Sequence, residues 1–175
     1  MELFRPVAKE VDIDRLVTRA MSLRGGETNA HIDLVLCAAC WLEARGFSVI
    51  FRPSFWLFGG GYVVPDVYGR SLTDCTNAIA EAKASRSDVY CSFPKYRKLI
   101  RHSRGTWSPI AEHHFIIAPK GLVGKSEVPK LWGLLEVKGD HVEVLVAPTR
   151  VECRMKVRNR TSGVEWIKEK LFQSV

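Results

Sequence analysis

Apolar residues at steps of three and four mark the clearest element of the chain. They recur from Thr28 to Arg45 as one face of an amphipathic helix. These apolar positions are Ala30, Leu34, Cys37, Ala38, Trp41 and Ala44. Gly46 follows directly and can take the left-handed conformation that ends many helices. A shorter helix is predicted from Asp12 to Leu23, before the break at Gly25-Gly26.

Short apolar runs bounded by glycine, proline or other turn residues follow the long helix and predict strands. The predicted strands are residues 47–51, 55–61, 62–68, 77–83, 114–118, 132–137 and 141–146. The last two flank Lys138-Gly139-Asp140 and therefore predict a hairpin. Helical spacing returns from Asp88 to Arg101 and from Thr161 to Phe172.

The order of these elements, a helix, a run of strands, a helix and further strands, predicts a layered α/β fold. No internal repeat, low-complexity tract or linker divides the 175 residues. A chain of this length can bury a substantial core in one unit. We therefore predict a single domain over residues 1–175, with its core at about 28–146 and a C-terminal helix at about 161–173.

Charge and hydrophobicity narrow the class of protein. The net charge of +7 and the isoelectric point near 9.3 favour polyanionic partners. The longest apolar run, Leu34 to Leu42, is about half of what a membrane-spanning helix needs. The first residues lack the basic and apolar segments of a signal peptide. A cytoplasmic protein with no membrane partner is the expectation.

The five cysteines are odd in number and unevenly spaced, which argues against a secreted disulfide framework. Cys37-x-x-Cys40 lies within the apolar face of the long helix, and no second C-x-x-C follows. Packing in the core is the favoured interpretation of this pair.

The chemistry of the chain concentrates in Val64-Pro65-Asp66 and Glu81-Ala82-Lys83. Because side chains alternate along a strand, Glu81 and Lys83 point to one face and Ala82 to the other. If the two strands pair as a hairpin, Asp66 lies beside Glu81. Two carboxylates with room for water suit Mg²⁺, which can polarise a phosphate and activate water. Lys83 can counter the charge that develops on that phosphate.

A plainer interpretation is a solvated strand face, since E-x-K alone is a weak signal. Glu136-Val137-Lys138 repeats the pattern in a later strand. The first copy is favoured because Pro65-Asp66 precedes it and a basic helix follows it.

Pro65-Asp66, Glu81-x-Lys83 and the order of elements resemble the PD-(D/E)XK nuclease superfamily. The run E-x-K-x-S-x-x-D from Glu81 to Asp88 is similar to that of MmcB-like DNA-repair proteins. Archaeal Holliday-junction resolvases are similar over a shorter span. The resemblance covers roughly Thr28 to Val146 and implies a restriction-endonuclease-like three-layer fold, with a central mixed β-sheet flanked by helices.

The resemblance also implies a function and its residues. The chain would be a metal-dependent endonuclease acting on DNA in repair, recombination or a mobile element, with Mg²⁺ or, as a substitute, Mn²⁺. Asp66, Glu81 and the Ala82 carbonyl would hold the ion. Lys83 would be the catalytic lysine and Ser85 an auxiliary polar group.

Many members of the superfamily carry a glutamate on the first helix that points at the metal. In this chain Glu27 stands at the helix start and Glu43 near its end, while His31 and Asp33 lie between them. Since no glutamate clearly takes that place, the alternative function is a catalytically inactive DNA-binding protein of the same fold.

Two basic clusters complete the expected site. Their DNA-binding candidates are Lys95, Lys98, Arg101, Arg154, Lys156 and Arg158. Such cations can neutralise backbone phosphates without reading sequence, or they can form solvated faces. His113 is predicted at the surface and His114 in the core. A homodimer stays open, because junction resolvases cut two strands as dimers.

Overall fold

The computed structural model describes residues 12–22, 28–51, 55–57, 61–71, 73–91 and 111–151. Two helices come first, α1 (Ile13–Ser22) and α2 (Asn29–Glu43). The strands are β1 (Phe47–Phe51), β2 (Phe55–Leu57), β3 (Gly61–Val63), β4 (Val67–Ser71), β5 (Asn77–Ala82), β6 (His113–Pro119), β7 (Gly133–Lys138) and β8 (His141–Val146). A 3-10 turn spans Lys125–Glu127, and residues 86–91 are helical.

Six strands form one mixed sheet in the order β1-β4-β5-β6-β7-β8. β1, β4 and β5 pair antiparallel, β5, β6 and β7 pair parallel, and β7 and β8 form an antiparallel hairpin. β2 and β3 pair separately as a two-stranded sheet. The chain therefore has an α/β fold built on a mixed sheet.

The apolar face of α2 packs against this sheet. The helix starts at Thr28, whose hydroxyl oxygen accepts a hydrogen bond from the backbone N–H of His31 at 3.3 Å. Near its other end Trp41 meets Phe115 of β6 edge to face, with ring centroids 5.2 Å apart. Gly46, with φ 81°, turns the chain from the helix into β1 as the sequence predicts.

β5 is buried along its whole length, because core lies on both of its faces. Ala78, Ala80 and Ala82 belong to the cluster formed with α2, and their small side chains leave room for the helix. Ile79 belongs to a second cluster on the opposite face, which includes Trp132. Hydrophobic residues thus cover both faces of β5, and a neighbouring strand pairs with each of its edges.

The sequence predicts most of these elements and misplaces one strand. The expected strand 62–68 is wrong: β3 ends at Val63, and β4 begins at Val67 and continues through Gly69. A side-chain carbon at Gly69 would lie 3.2 Å from the Cβ of Phe47, so glycine serves close packing within the strand. The glycine marks close approach of two strands and not a turn.

The expectation that His113 is at the surface is also wrong. His113 is 3% exposed, because β6 pairs on both sides and Ala78 lies beside it in β5. His114 is buried as expected, and Cys37 and Cys40 pack partly buried against the core. The helix predicted from Asp88 to Arg101 is helical as far as Cys91, and its remainder lies outside the described residues, as does the helix predicted from Thr161. No helix in the described ranges is long and apolar enough to cross a bilayer.

Gly133 provides a test of how tightly the sheet packs. A Cβ at this position would meet a ring carbon of Phe115 at 2.8 Å and a ring carbon of Pro148 at 2.9 Å. We expect Gly133→Ala to lower the free energy of unfolding by about 1–3 kcal/mol through overpacking, as measured by urea denaturation.

Gly124→Ala is the matched control, because its new Cβ would meet only the side chain of Glu127, with the nearest atom, a carboxylate oxygen, at 3.1 Å. Equal stability of the two variants would contradict the close contact of Gly133 with Phe115.

Candidate active site

Asp66 and Glu81 lie opposite each other where β4 begins and β5 ends. In the ladder Val67 pairs with Ala80, so the next position places Asp66 across from Glu81. The Asp66 Oδ2 atom accepts a hydrogen bond from the backbone N–H of Ala82 at 2.8 Å. The predicted pairing of these two strands is confirmed.

His31, in the first turn of α2, reaches the same place from the helix. Its Nε2 lies 3.6 Å from the Asp66 Oδ1, and both side chains are 16% exposed. This separation is longer than a good hydrogen bond, so the pair is a close polar contact. Asp33, the other candidate between Glu27 and Glu43, is exposed. Of the helix residues that the sequence left open, His31 is the one that the structure brings beside Asp66.

The pKa of Asp66 lies below its ordinary value of 3.8. Burial by itself raises the pKa of Asp66. The contact with His31, the hydrogen bond from Ala82 and the positive charge of Lys83 together lower this pKa by more than burial raises it. Asp66 is therefore an ionised, largely buried carboxylate at neutral pH, which is the form that binds cations.

Lys83 follows β5 directly and lies between two carboxylates. Its Nζ atom donates to the Asp88 Oδ1 at 3.1 Å and lies 3.9 Å from the Glu81 Oε2. The side chains of Lys83 and Glu81 are 6% and 1% exposed, and Ala82 packs into the cluster on the other face. The backbone N–H of Lys83 donates to the Ile117 carbonyl of β6 at 2.9 Å. The ammonium is thus held in a buried position beside Glu81.

Asp88 is the member of this group that the residue pattern did not single out. Ser85 accepts a hydrogen bond from the backbone N–H of Asp88 at 3.2 Å, so Ser85 caps the helical residues 86–91. The spacing S-x-x-D before a helix was the available signal. Ser85 is exposed, and in this structure it positions Asp88.

Arg86 ties the same helical turn to the connection between β6 and β7. Its guanidinium donates to the Glu127 carboxylate at 2.6 and 2.7 Å and to the Leu122 carbonyl at 2.8 Å. Such a two-point arginine–carboxylate contact fixes direction as well as distance. The turn that carries Asp88 is therefore anchored to the connection between β6 and β7.

The second E-x-K copy has a different environment. Glu136 is 7% exposed, and its Oε1 accepts a hydrogen bond from the backbone N–H of Gly121 at 2.9 Å, which holds the turn after β6. Lys138 contacts Glu136 at 3.6 Å and also pairs with Glu143 across the hairpin. These contacts support the plainer, structural interpretation for this copy.

The carboxylates of Asp66 and Glu81 are the candidate metal ligands at the end of β5. Within the described ranges no group of three or more His, Cys, Asp or Glu side chains could hold a metal ion. Mg²⁺ does not require one, because it commonly keeps several waters and binds one or two carboxylates. Asp66 and Glu81 supply those carboxylates. The role of the Ala82 carbonyl stays a prediction.

The predicted DNA-contacting cations cannot be placed relative to this group. Lys95, Lys98 and Arg101 lie outside the described residues, and so do Arg154, Lys156 and Arg158.

Comparison with known proteins bears on the fold. No protein-family model matches the chain, and no curated protein is similar to it. A solved structure of a protein of unknown function from Silicibacter pomeroyi superposes with a TM-score of 0.50 and 16% sequence identity. The match covers 74% of this chain and 82% of that one. At this identity the likeness concerns the fold alone.

Removing the Lys83 ammonium should expose the cost of burying Glu81. We expect Lys83→Met to lower the free energy of unfolding by about 3–5 kcal/mol, because a buried carboxylate loses its neighbouring cation. The double variant Glu81→Gln/Lys83→Met should lose less than the sum of the two single variants, with coupling of at least about 1 kcal/mol. Urea denaturation of all four proteins measures this.

The exposed pair Lys138 and Glu143 provides the control cycle, in which little coupling is expected because solvent screens the charges. Equal coupling in both cycles would show that burial of Glu81 and Lys83 has no special cost.

The lowered pKa of Asp66 predicts a pH dependence of stability. Its ionised form stabilises the folded chain above the ordinary value of 3.8, and this contribution is lost as the pH falls through the lower, folded-state pKa. We expect the stability difference between wild type and Asp66→Asn to shrink as the pH falls below 3.8. Denaturation over a pH series measures it.

Proposed function

We propose that the chain is a metal-dependent nuclease that hydrolyses DNA phosphodiester bonds, on a restriction-endonuclease-like variant of its α/β fold. The observation that carries the proposal is the grouping of Asp66, Glu81 and Lys83 at the shared end of β4 and β5. Burying ionisable side chains together costs stability, and such groups are enriched at functional sites. DNA repair, recombination or a mobile element is the proposed setting.

The proposed chemistry divides between the carboxylates and the lysine. Asp66 and Glu81 would hold Mg²⁺, with Mn²⁺ as a substitute. The bound ion would polarise the scissile phosphate and lower the pKa of a water. Lys83, kept in place by Asp88 at 3.1 Å, presents a fixed positive charge beside the same carboxylates. That charge would stabilise the extra negative charge on the phosphate during attack.

Substrate binding is assigned to the two basic clusters. Lys95, Lys98 and Arg101 follow the helical turn that carries Asp88, and Arg154, Lys156 and Arg158 follow β8. Evenly spaced cations neutralise phosphates without regard to base sequence, so binding should weaken steeply with salt. The proposed partner is DNA.

A second candidate function is a DNA-binding protein of this fold that does not cut. The observation that favours it is His31, which occupies the position facing Asp66 where many superfamily nucleases have a glutamate. Cleavage and binding assays on the same variants distinguish the two functions.

The test is cleavage of labelled single-stranded, duplex, flap and four-way-junction DNA, and of RNA, with Mg²⁺, Mn²⁺ or EDTA. We expect metal-dependent cutting by wild type. Asp66→Ala should lack it, and Lys83→Ala should retain DNA binding but cut about 10²–10³-fold more slowly. Circular dichroism of each variant establishes that it is folded.

Lys138→Ala is the matched control, because it alters the second E-x-K copy and should cut like wild type. Absence of cutting on every substrate, with salt-sensitive DNA binding retained, would refute the nuclease and support the binding protein. Equal losses in Lys83→Ala and Lys138→Ala would remove the special role of the first copy.

A further inference from the structure

Three neighbouring strands of the sheet end at a lysine on the same edge. β5, β6 and β7 run parallel, so their carboxyl ends lie together. Lys83 directly follows β5, Lys120 directly follows β6, and Lys138 is the last residue of β7. In open α/β sheets, ligands bind in the crevice outside the carboxyl ends of the strands. The three lysines therefore lie where a ligand of the proposed site would bind.

The three lysines differ in the charges beside them. Lys83 and Lys138 each contact two carboxylates. Lys120 is exposed, and no carboxylate of the described residues lies within ion-pair distance of its ammonium. A carboxylate that holds a lysine competes with any other anion for that lysine. Among these three, Lys120 is therefore the lysine that is available to an anionic group of a ligand.

A tight turn fixes the backbone of Lys120. The backbone N–H of Leu122 donates to the Pro119 carbonyl at 3.1 Å, and Gly121 between them has φ 74°. A positive φ at the third residue is the mark of a type II β-turn, in which Lys120 is the second residue. The backbone N–H of Lys120 also donates to the Val137 carbonyl of β7 at 3.0 Å. Because the backbone is already fixed, binding an anion has to order only the lysine side chain.

Lys120 is also close to the proposed catalytic lysine. In the ladder between β5 and β6, Lys83 lies across from the residue two positions before Lys120. With strands about 4.8 Å apart and a rise of about 3.3 Å per residue, the two Cα atoms are about 8 Å apart. Successive phosphates of a DNA strand advance by about 3.4 Å along the duplex axis, so the two side chains can contact neighbouring phosphates.

We propose that Lys120 binds a backbone phosphate next to the scissile one, in the DNA strand that is cut. This inference rests on the proposed function and adds a substrate-binding residue to it. Lys83 acts on the phosphate that reacts, whereas Lys120 acts on one that does not. Lys120 therefore stabilises the bound substrate and the transition state equally, so its loss should raise KM and leave kcat unchanged.

The first test measures DNA binding over a range of salt concentrations, with EDTA present so that no cleavage takes place. The probes are the labelled single-stranded, duplex, flap and four-way-junction DNA of the cleavage assay. A lysine–phosphate contact releases counterions, so Lys120→Ala should reduce the steepness of log affinity against log salt by about 1. Lys120→Arg keeps the charge and should keep the wild-type slope.

Lys130→Ala is the matched control, because it removes the same charge from another exposed lysine of the connection between β6 and β7. Lys130 stands just before β7, whose first residue, Gly133, pairs with Phe115. Phe115 is five residues before Lys120, so at about 3.3 Å per residue the start of β7 lies about 17 Å from Lys120 along the sheet. Lys130→Ala should therefore keep the wild-type slope.

The second test identifies the phosphate. Once the cleaved bond is mapped, each neighbouring phosphate in turn is replaced by an uncharged methylphosphonate. Wild type should have a higher KM for the substrate that is neutralised next to the scissile phosphate. Lys120→Ala should have the same KM for that substrate and for unmodified DNA, because the contact is already absent.

The outcomes separate this inference from the proposed function. If wild type cuts DNA and Lys120→Ala has the same salt slope as Lys130→Ala, the inference is overturned and the nuclease stands. A lower kcat at unchanged KM in Lys120→Ala would also overturn it. If no substrate is cut but the salt slope still depends on Lys120, the phosphate contact is supported and the nuclease is refuted. Absence of binding to every DNA would overturn both.

Discussion

Burial of β5 on both faces is the constraint on which the rest of the structure depends. The strand pairs with β4 on one side and β6 on the other, and the two hydrophobic clusters cover its faces. A chain leaving such a strand has little freedom of direction. Glu81 is the last polar residue within β5, and Lys83 is the first residue after it. The backbone that carries these two side chains is therefore fixed by the sheet. Rigid elements of this kind hold a chemical site more precisely than loops do.

The same burial makes the charges at the end of β5 dependent on one another. A carboxylate at 1% exposure and an ammonium at 6% have each lost most of their hydration, and each is tolerated because an opposite charge is near. Asp88 and Asp66 add two further negative charges near the Lys83 ammonium. Asp88 is held in place because Ser85 caps its helical turn and Arg86 of the same turn binds Glu127. Well-packed hydrophobic side chains of similar volume are often at least as stabilising as a buried ion pair, so stability alone does not account for these charges.

Sequence alone could predict the elements better than the contacts between them. The apolar period marks α2, and short bounded runs mark β1 and the β7–β8 hairpin, because each depends on nearby residues. The position of β4 was missed because a glycine at position 69 predicts a turn. Its role in the close packing against Phe47 depends on a contact between distant parts of the chain. The pairing of Asp66 with Glu81 follows from hairpin geometry. The direction of His31 depends on how α2 is rotated against the sheet, and no local pattern reports that rotation. Burial of His113 likewise depends on its neighbours in the sheet.

The distribution of charge separates the proposed chemistry from the proposed DNA binding. The chain as a whole is basic, at +7, yet the described residues carry more acidic than basic side chains. The basic excess therefore lies in the other segments, chiefly residues 92–110, which lie between two described ranges, and residues 152–175, which follow the last one. A group of carboxylates repels phosphate until a cation neutralises it, so attraction over distance must come from elsewhere on the molecule. In the proposed nuclease the cations of these two segments would hold the DNA backbone. The bound ion would let a phosphate approach the carboxylates, so metal binding and substrate binding would depend on each other.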